Sequence, residues 1–265
     1  MTDQVEPKLL IESQGRVTYL TLNRPQVHNA LDRELSLQLN EAVKKVETDR
    51  DCAVLVIRGA GDTFCAGDDV SDFNTWGPED PYWQVRLYQE TAKLIEDLTC
   101  ITIAQVDGVA AGGGLELTLV SDFVVATDRS RWGMPEIDWD ITPGWGGTTR
   151  LTRFAGKRKA KEWNLIGALF DAQTAERYNL INRITTPEKL ESEVDALIEV
   201  ILAKDPYTLR RTKKYLNVGS EIHISGALAF ESEATPRAMG QGVADFTDRA
   251  AREQRRKLSK HFWQD

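Results

Sequence analysis

Cysteine and histidine are scarce in this chain. Its 265 residues include only three of each. Cys52, Cys65 and Cys100 form no CxxC pair and leave an odd count. This excludes a disulfide-stapled secreted scaffold and a cysteine-rich metal site. They read as reduced, mostly buried thiols, as in an intracellular protein. His28, His223 and His261 lie far apart, and none sits in a metal-ligand pattern. No metal is expected, and packing or surface roles suit these histidines. The chain also lacks any run of the ~18 apolar residues that a transmembrane helix needs. Its polar start, MTDQVEPKLL, has neither the apolar core of a signal peptide nor the arginines of a transit peptide. A cytoplasmic location is the expectation. Excess positive charge is missing too. The net charge is -8 and the isoelectric point about 5.1. Nucleic acid and anionic membrane are therefore not expected as partners, although a local basic patch can still hold a phosphate.

Several nucleotide and hydrolase signatures fail. Gly59-Ala60-Gly61 follows an apolar run, but the third glycine of a dinucleotide fingerprint falls on Phe64. There is no GxxxxGK[ST] phosphate loop and no GxSxG nucleophile elbow.

What remains is an ordinary globular composition, 41% hydrophobic, with a clear alternation of patterns. VTYLTLN (17–23) alternates polar and apolar residues, like a half-buried strand. AVLVIRG (53–59), ITIAQVDG (101–108) and SDFVVATD (121–128) read as further strands, the first buried on both faces. Residues 34–47 and 82–98 carry helical spacing between them. This alternation argues for an α/β fold with parallel pairing. Beyond about residue 145 helices dominate: 157–168, 172–179, 187–204, 206–216 and 221–261, with one short strand near 181–185. Asp171 suits an N-cap and Pro206 a first helical turn. The predicted organisation is a core over 1–200 and a helical C-terminal region over 201–265.

Two glycine-bearing loops follow buried strands: GDTFCAGDDV (61–70) and GVAAGGGLELTL (108–119). Three glycines in a row disfavour helix, but they let backbone approach a ligand without a Cβ in the way. N–H groups converging from two such loops make an oxyanion hole. A helix starting near Gly113 adds its positive end and puts Glu116 in its first turn. Twenty residues on, RWGMPEIDWD (131–140) carries Glu136. Singly, Glu116 reads as a capping residue and Glu136 as a surface charge. Together with an oxyanion hole, they suit acid–base chemistry beside a thioester carbonyl.

At these residues the sequence resembles the enoyl-CoA hydratase/isomerase family, the crotonase superfamily. The resemblance runs through LNRPQVHNAL (22–31), FCAGDDV (64–70), QVDGVAAGGGLEL (105–117), SDFVVA (121–126), MPEI (134–137), TPGWGGTTRL (142–151) and FDAQTAERYNLIN (170–182). It implies a crotonase-like spiral of ββα units with a helical C-terminal trimerisation region, and a homo-trimer or hexamer. It implies catalytic glutamates at Glu116 and Glu136, and an oxyanion hole from the N–H groups of Asp68 and Gly113. CoA is expected against His28, Ala30, Ala66, Asp69 and Val70, with Arg249 reaching a CoA phosphate. The alternative for Arg249 is a solvated helix face. No cofactor is implied, because CoA is part of the thioester substrate.

The reaction implied is addition of water across the 2,3 double bond of a 2-enoyl-CoA, as in fatty acid metabolism. In this reading Glu116 orients the water as a carboxylate and Glu136 handles the proton at the α carbon. The rival within the fold is a double-bond isomerase or C–C hydrolase acting on a bulky or cyclic acyl-CoA. The rival outside it is a non-catalytic acyl-CoA-binding protein. Asp140 stands where hydratases usually carry glycine, and Trp132, Trp139 and Trp145 crowd the segment around Glu136. Trp132 and Trp145 suit core packing. Trp139 and Asp140 are candidates to shape an acyl pocket.

Overall fold

The computed structural model describes residues 6–240 and 248–262. The first half lays down strands in quick succession. β1 (Leu9–Gln14) and β2 (Val17–Leu22) form an antiparallel hairpin turned at Gly15. α1 (Arg33–Thr48) follows, capped by Asp32, whose side chain accepts the Leu35 N–H at 2.8 Å. Then come β3 (Val54–Gly59), α2 (Asp80–Asp97), β4 (Ile101–Val106), β5 (Val109–Ala111), α3 (Gly113–Leu119), β6 (Phe123–Thr127) and β7 (Arg131–Gly133).

The second half is mostly helical. α4 (Gly147–Ile166) is kinked at Gly156, and β8 (Phe170–Asp171) and α5 (Ala172–Arg177) follow it. β9 (Arg183–Thr185) precedes α6 (Leu190–Leu202), α7 (Pro206–Glu221), α8 (Ile224–Gly240) and α9 (Arg249–Phe262).

The strands sort into two sheets. One runs β1-β2-β3-β4-β6-β9, parallel from β2 onward, and the other β5-β7-β8. Right-handed parallel crossovers need covering elements on the sheet faces, and the apolar residues show them. Leu20, Leu22, Leu55 and Ile57 pack with Leu35 and Leu39 of α1 and Ile95 of α2. The opposite face, with Val17, Tyr19, Val54, Val56 and Ile103, packs on Val194, Leu197, Ile198 and Ile201 of α6. β2 is therefore covered on both sides, and even Thr18 and Thr21 are buried. The half-buried strand expected from its alternation is an interior strand instead. Its threonines give the polar beat, but β1 and β3 flank it and helices cover both faces.

The predicted helices over 34–47 and 82–98 and the strands over 53–59, 101–108 and 121–128 appear within a few residues. The C-terminal helices appear as expected, save that residues 241–247 lie outside the described residues. α4 begins ten residues earlier than its apolar pattern indicates. Its first half winds from Gly147 through TTRLTRFA before Gly156 breaks the run. All three cysteines are buried and unbridged. Among the described residues, no helix is long and apolar enough to cross a membrane.

Candidate active site

The two glycine-bearing loops meet. Residues 64–67 run beside β5: Cys65 N–H donates to Val109 O at 2.9 Å, and Ala111 N–H donates back to Cys65 O at 3.0 Å. The contact is close enough to demand glycine. A Cβ at Gly114 would lie 2.1 Å from Cys65 O. Gly67, at φ +103, would place a Cβ 3.4 Å from the Gly113 N. The N–H groups of Asp68 and Gly113 have no acceptor among the described residues. Gly113 is the first residue of α3, so its N–H has no intrahelical partner by construction.

A third segment locks onto these two. Leu31 N–H donates to Gly67 O at 2.8 Å, Asp69 N–H to Leu31 O at 3.0 Å, and Ala66 N–H to His28 O at 3.0 Å. His28 and Asn29 both adopt left-handed backbone. Asn29 is fully buried and fixes that turn: its Oδ1 accepts the Arg24 N–H, and its Nδ2 donates to Ala60 O and Thr63 O. Arg24 donates to Ala30 O and Asp69 Oδ2. So His28, Ala30, Ala66, Asp69 and Val70, which the sequence resemblance groups at CoA, share one rim beside the paired loops.

Both glutamates point into this junction. Glu116 lies in the first turn of α3 and Glu136 in a short 3₁₀ helix, Pro135–Trp139, and both are buried. A Cβ at Gly112 would sit 3.1 Å from Glu136 Oε1, so bare backbone lets that carboxyl approach the loop. Glu116 Oε1 accepts the N–H of Gly147, where a Cβ would lie 2.7 Å from it. Glu136 Oε2 is buried with no hydrogen-bond partner among the described residues. Burial pushes the Glu136 carboxyl up to about 7. Burial first, then the neighbouring Glu136, pushes Glu116 well above the usual carboxylate range.

Two partners of the site carry weaker sequence signals. Trp145 is fully buried, as its packing reading expects, yet its indole N–H donates to Asp68 Oδ1 at 3.2 Å. Tyr88 of α2 stacks on it, with ring centroids 4.5 Å apart. Trp145 and Gly147 fall inside the quoted TPGWGGTTRL motif, whereas Tyr88 had only helical spacing to announce it. Trp132 is fully buried and bonded to Ser130, a packing role.

Trp139 and Asp140 fall outside the junction. Trp139 is 59% exposed. Asp140 is exposed and closes the 3₁₀ helix at φ 56, ψ 28. A left-handed terminus accounts for the residue there: glycine suits such a position best, and aspartate tolerates it. Arg249 begins α9 and is exposed. The anchoring shown for α9 is to α6 and its end, where Lys204 Nζ donates to Arg255 O and Ser259 Oγ. Among the described residues, no contact brings Arg249 to the rim. A cavity of about 1500 Å³ lies between the C-terminal end of α3, α4 and α7, and neither glutamate lines it.

A family model described as enoyl-CoA hydratase/isomerase matches residues 12–246. The chain belongs to the enoyl-CoA hydratase/isomerase family. Among its relatives, it is 36% identical over 225 residues to a probable enoyl-CoA hydratase of Rhizobium meliloti, covering 84% of this chain and 86% of that one. It is 34% identical over 227 residues to a crotonyl-CoA hydratase of Syntrophomonas wolfei, covering 85% and 87%. The crystal structure of an enoyl-CoA hydratase from Bacillus anthracis superposes with a TM-score of 0.85 at 28% identity, covering 89% and 92%. One from Mycobacterium smegmatis gives 0.85 at 28%, covering 97% of each chain. The fold is the crotonase fold, and the protein is an enoyl-CoA hydratase-like enzyme of the family that acts on acyl-CoA thioesters.

Proposed function

We propose that this enzyme adds water across the 2,3 double bond of a 2-enoyl-CoA, with Glu116 and Glu136 as the acid–base pair. The observation that carries the reading is the meeting of two buried carboxyls at a glycine-lined junction where the N–H groups of Asp68 and Gly113 are unclaimed among the described residues. In this reading the thioester oxygen accepts from the N–H groups of Asp68 and Gly113. These stabilise the enolate-like charge that builds as water attacks C3; loss of one such donor typically costs ~100- to 1000-fold in rate. The two carboxyls share one proton, because like charges this close resist double ionisation. Water gives its proton to the ionised member as its oxygen bonds to C3. The neutral member delivers a proton to C2, and the charge on the thioester oxygen collapses.

CoA lies along the His28–Ala30 and Ala66–Val70 rim in this reading, and no cofactor takes part. A homo-trimer or hexamer is the assembly proposed, with residues 201–265 contributing to it. Exposed Ile137, Trp139, Leu165, Ile166 and Leu169 supply apolar surface for such contacts.

Retention of both glutamates favours hydration over isomerisation, since moving a double bond needs only one base. Mass analysis of the product from crotonyl-CoA separates the two. Hydration adds the mass of one water, and isomerisation leaves the mass unchanged. Exclusive formation of an equal-mass isomer would overturn the reading.

A further inference from the structure

The oxyanion loop carries an acid that the proposed reaction leaves unused. Asp68 lends its backbone N–H, but its side chain turns inward. Its Oδ1 accepts from Trp145 Nε1 at 3.2 Å, and the same oxygen would lie 3.3 Å from a Cβ placed on Gly113. The Trp145 indole donates to the carboxyl, the Tyr88 hydroxyl faces it as well, and among the described residues no salt bridge reaches it. Tyr88 stacks on Trp145, and its buried hydroxyl, which no close hydrogen bond satisfies among the described residues, faces Asp68.

The titratable groups facing Asp68 are Glu116 from α3, Glu136 from the 3₁₀ helix, Tyr88 from α2, and Cys65 on its own loop. All of them are acids; the neighbouring cations Arg24 and Arg150 are engaged with Asp69 and with Glu96 and the Trp145 carbonyl, and among the described residues none pairs with Asp68. Asp68 itself adds to the upward push on both glutamates. A carboxylate here sits on the residue that donates to the thioester oxygen, where it opposes any negative charge forming on that oxygen. A neutral acid does not.

We propose that Asp68 is a positioning residue of the oxyanion hole whose side chain serves only in its neutral form, holding Trp145 through Oδ1 without setting a third negative charge beside the developing enolate. The inference rests on the reading of Asp68 and Gly113 as the oxyanion hole. Burial already moves this carboxyl up to about 6, against the opposing pull of the Trp145 N–H and the Tyr88 hydroxyl. A bound thioester that displaces water pushes it further the same way.

The test is the pH profile of kcat/KM for crotonyl-CoA from pH 5.5 to 8.5, wild type beside Asp68→Asn. Asparagine keeps the acceptor for Trp145 and cannot ionise. Above the carboxyl's pKa the neutral fraction falls about tenfold per pH unit, so the ratio of Asp68→Asn to wild type rises at least about tenfold across the range. Because Asp68 also pushes both glutamates up, the pH dependence of acetoacetyl-CoA binding is compared as well in a Glu116→Gln/Glu136→Gln background, with and without Asp68→Asn, where neither glutamate can titrate. A merely structural Asp68 gives parallel profiles, and parallel profiles overturn the proposal.

Trp145→Phe supplies a second reading. Loss of the donor to the charged form moves the wild-type basic limb to higher pH; an unmoved limb counts against the proposal. Should wild type leave crotonyl-CoA untouched, the hydratase reading has failed but this one is still open to test. Acetoacetyl-CoA then serves as the probe, its enolate followed by its own ultraviolet absorbance. Its dissociation constant weakens with rising pH in wild type more than in Asp68→Asn if Asp68 acts as proposed. Equal pH dependence in the two proteins rejects it.

Discussion

Gly114 sets two residue-level effects against each other. It lies inside α3, so helix propensity alone predicts that alanine stabilises by ~1 kcal/mol. The Cys65 carbonyl stands 2.1 Å from the position of the new Cβ, and overpacking of that kind costs roughly 1–3 kcal/mol or more. The contact wins. Gly114→Ala is expected to lower the urea midpoint, and a raised midpoint would mean that the loops do not meet as described. Glu136 shows the cost of keeping an acid in such a place. Its folded carboxyl is raised to about 7 from a usual 4.5. A raised carboxyl leaves stability intact below its unfolded pKa, and stability is lost as pH rises through the folded value. Glu136→Gln removes that loss. It is expected to be more stable than wild type by up to ~3 kcal/mol above pH 7, with the advantage vanishing near pH 4. Denaturant melts at the two pH values check this, and an advantage independent of pH would contradict it.

At the scale of elements, the sequence was legible where each element has one environment. α1, α2, β3 and β4 show their periodicity directly, because one stripe or both faces meet apolar neighbours. β2 was misread because its buried threonines mimic a solvent face. β5, β7 and β8 are two or three residues each, too short to carry a period. The first half of α4 was hidden by polar residues, since only Gly147 and Leu151 of that stretch are buried. The glutamates and glycines of the site were readable as a kit, but their meeting depends on pairing between residues 65 and 110 and between 31 and 68, which no local pattern reports. Asp140 has a local account instead, as the left-handed end of the 3₁₀ helix. α7 has its own anchor. Lys213 is buried, donates to Cys100 O at 2.9 Å and pairs with Asp122 at 2.7 Å. Lys213→Ala leaves Asp122 without its counter-charge and is expected to cost ~3–5 kcal/mol. Lys213→Ala combined with Asp122→Asn is expected to recover part of this. A single mutant as stable as wild type in a thermal melt would show that α7 is held some other way.

At the scale of the whole molecule, the chain is an enoyl-CoA hydratase/isomerase family member whose candidate site is built from the loops of the first half and the start of α4. Its exposed apolar residues near the 3₁₀ helix and the end of α4 belong to contacts with further copies, under the assembly proposed. Light scattering at micromolar concentration is expected to give the mass of a trimer or hexamer, and a clean monomer would contradict that assembly. The central claim is narrower: two glutamates at a glycine junction hydrate a 2-enoyl thioester. Its most direct test is the loss of the conjugated-thioester absorbance of crotonyl-CoA, wild type beside Glu136→Gln. Wild type is expected to consume the substrate, and Glu136→Gln to lose at least ~100-fold in kcat while still binding the thioester. Substrate bound but untouched by wild type, or a mutant as fast as wild type, would contradict the account.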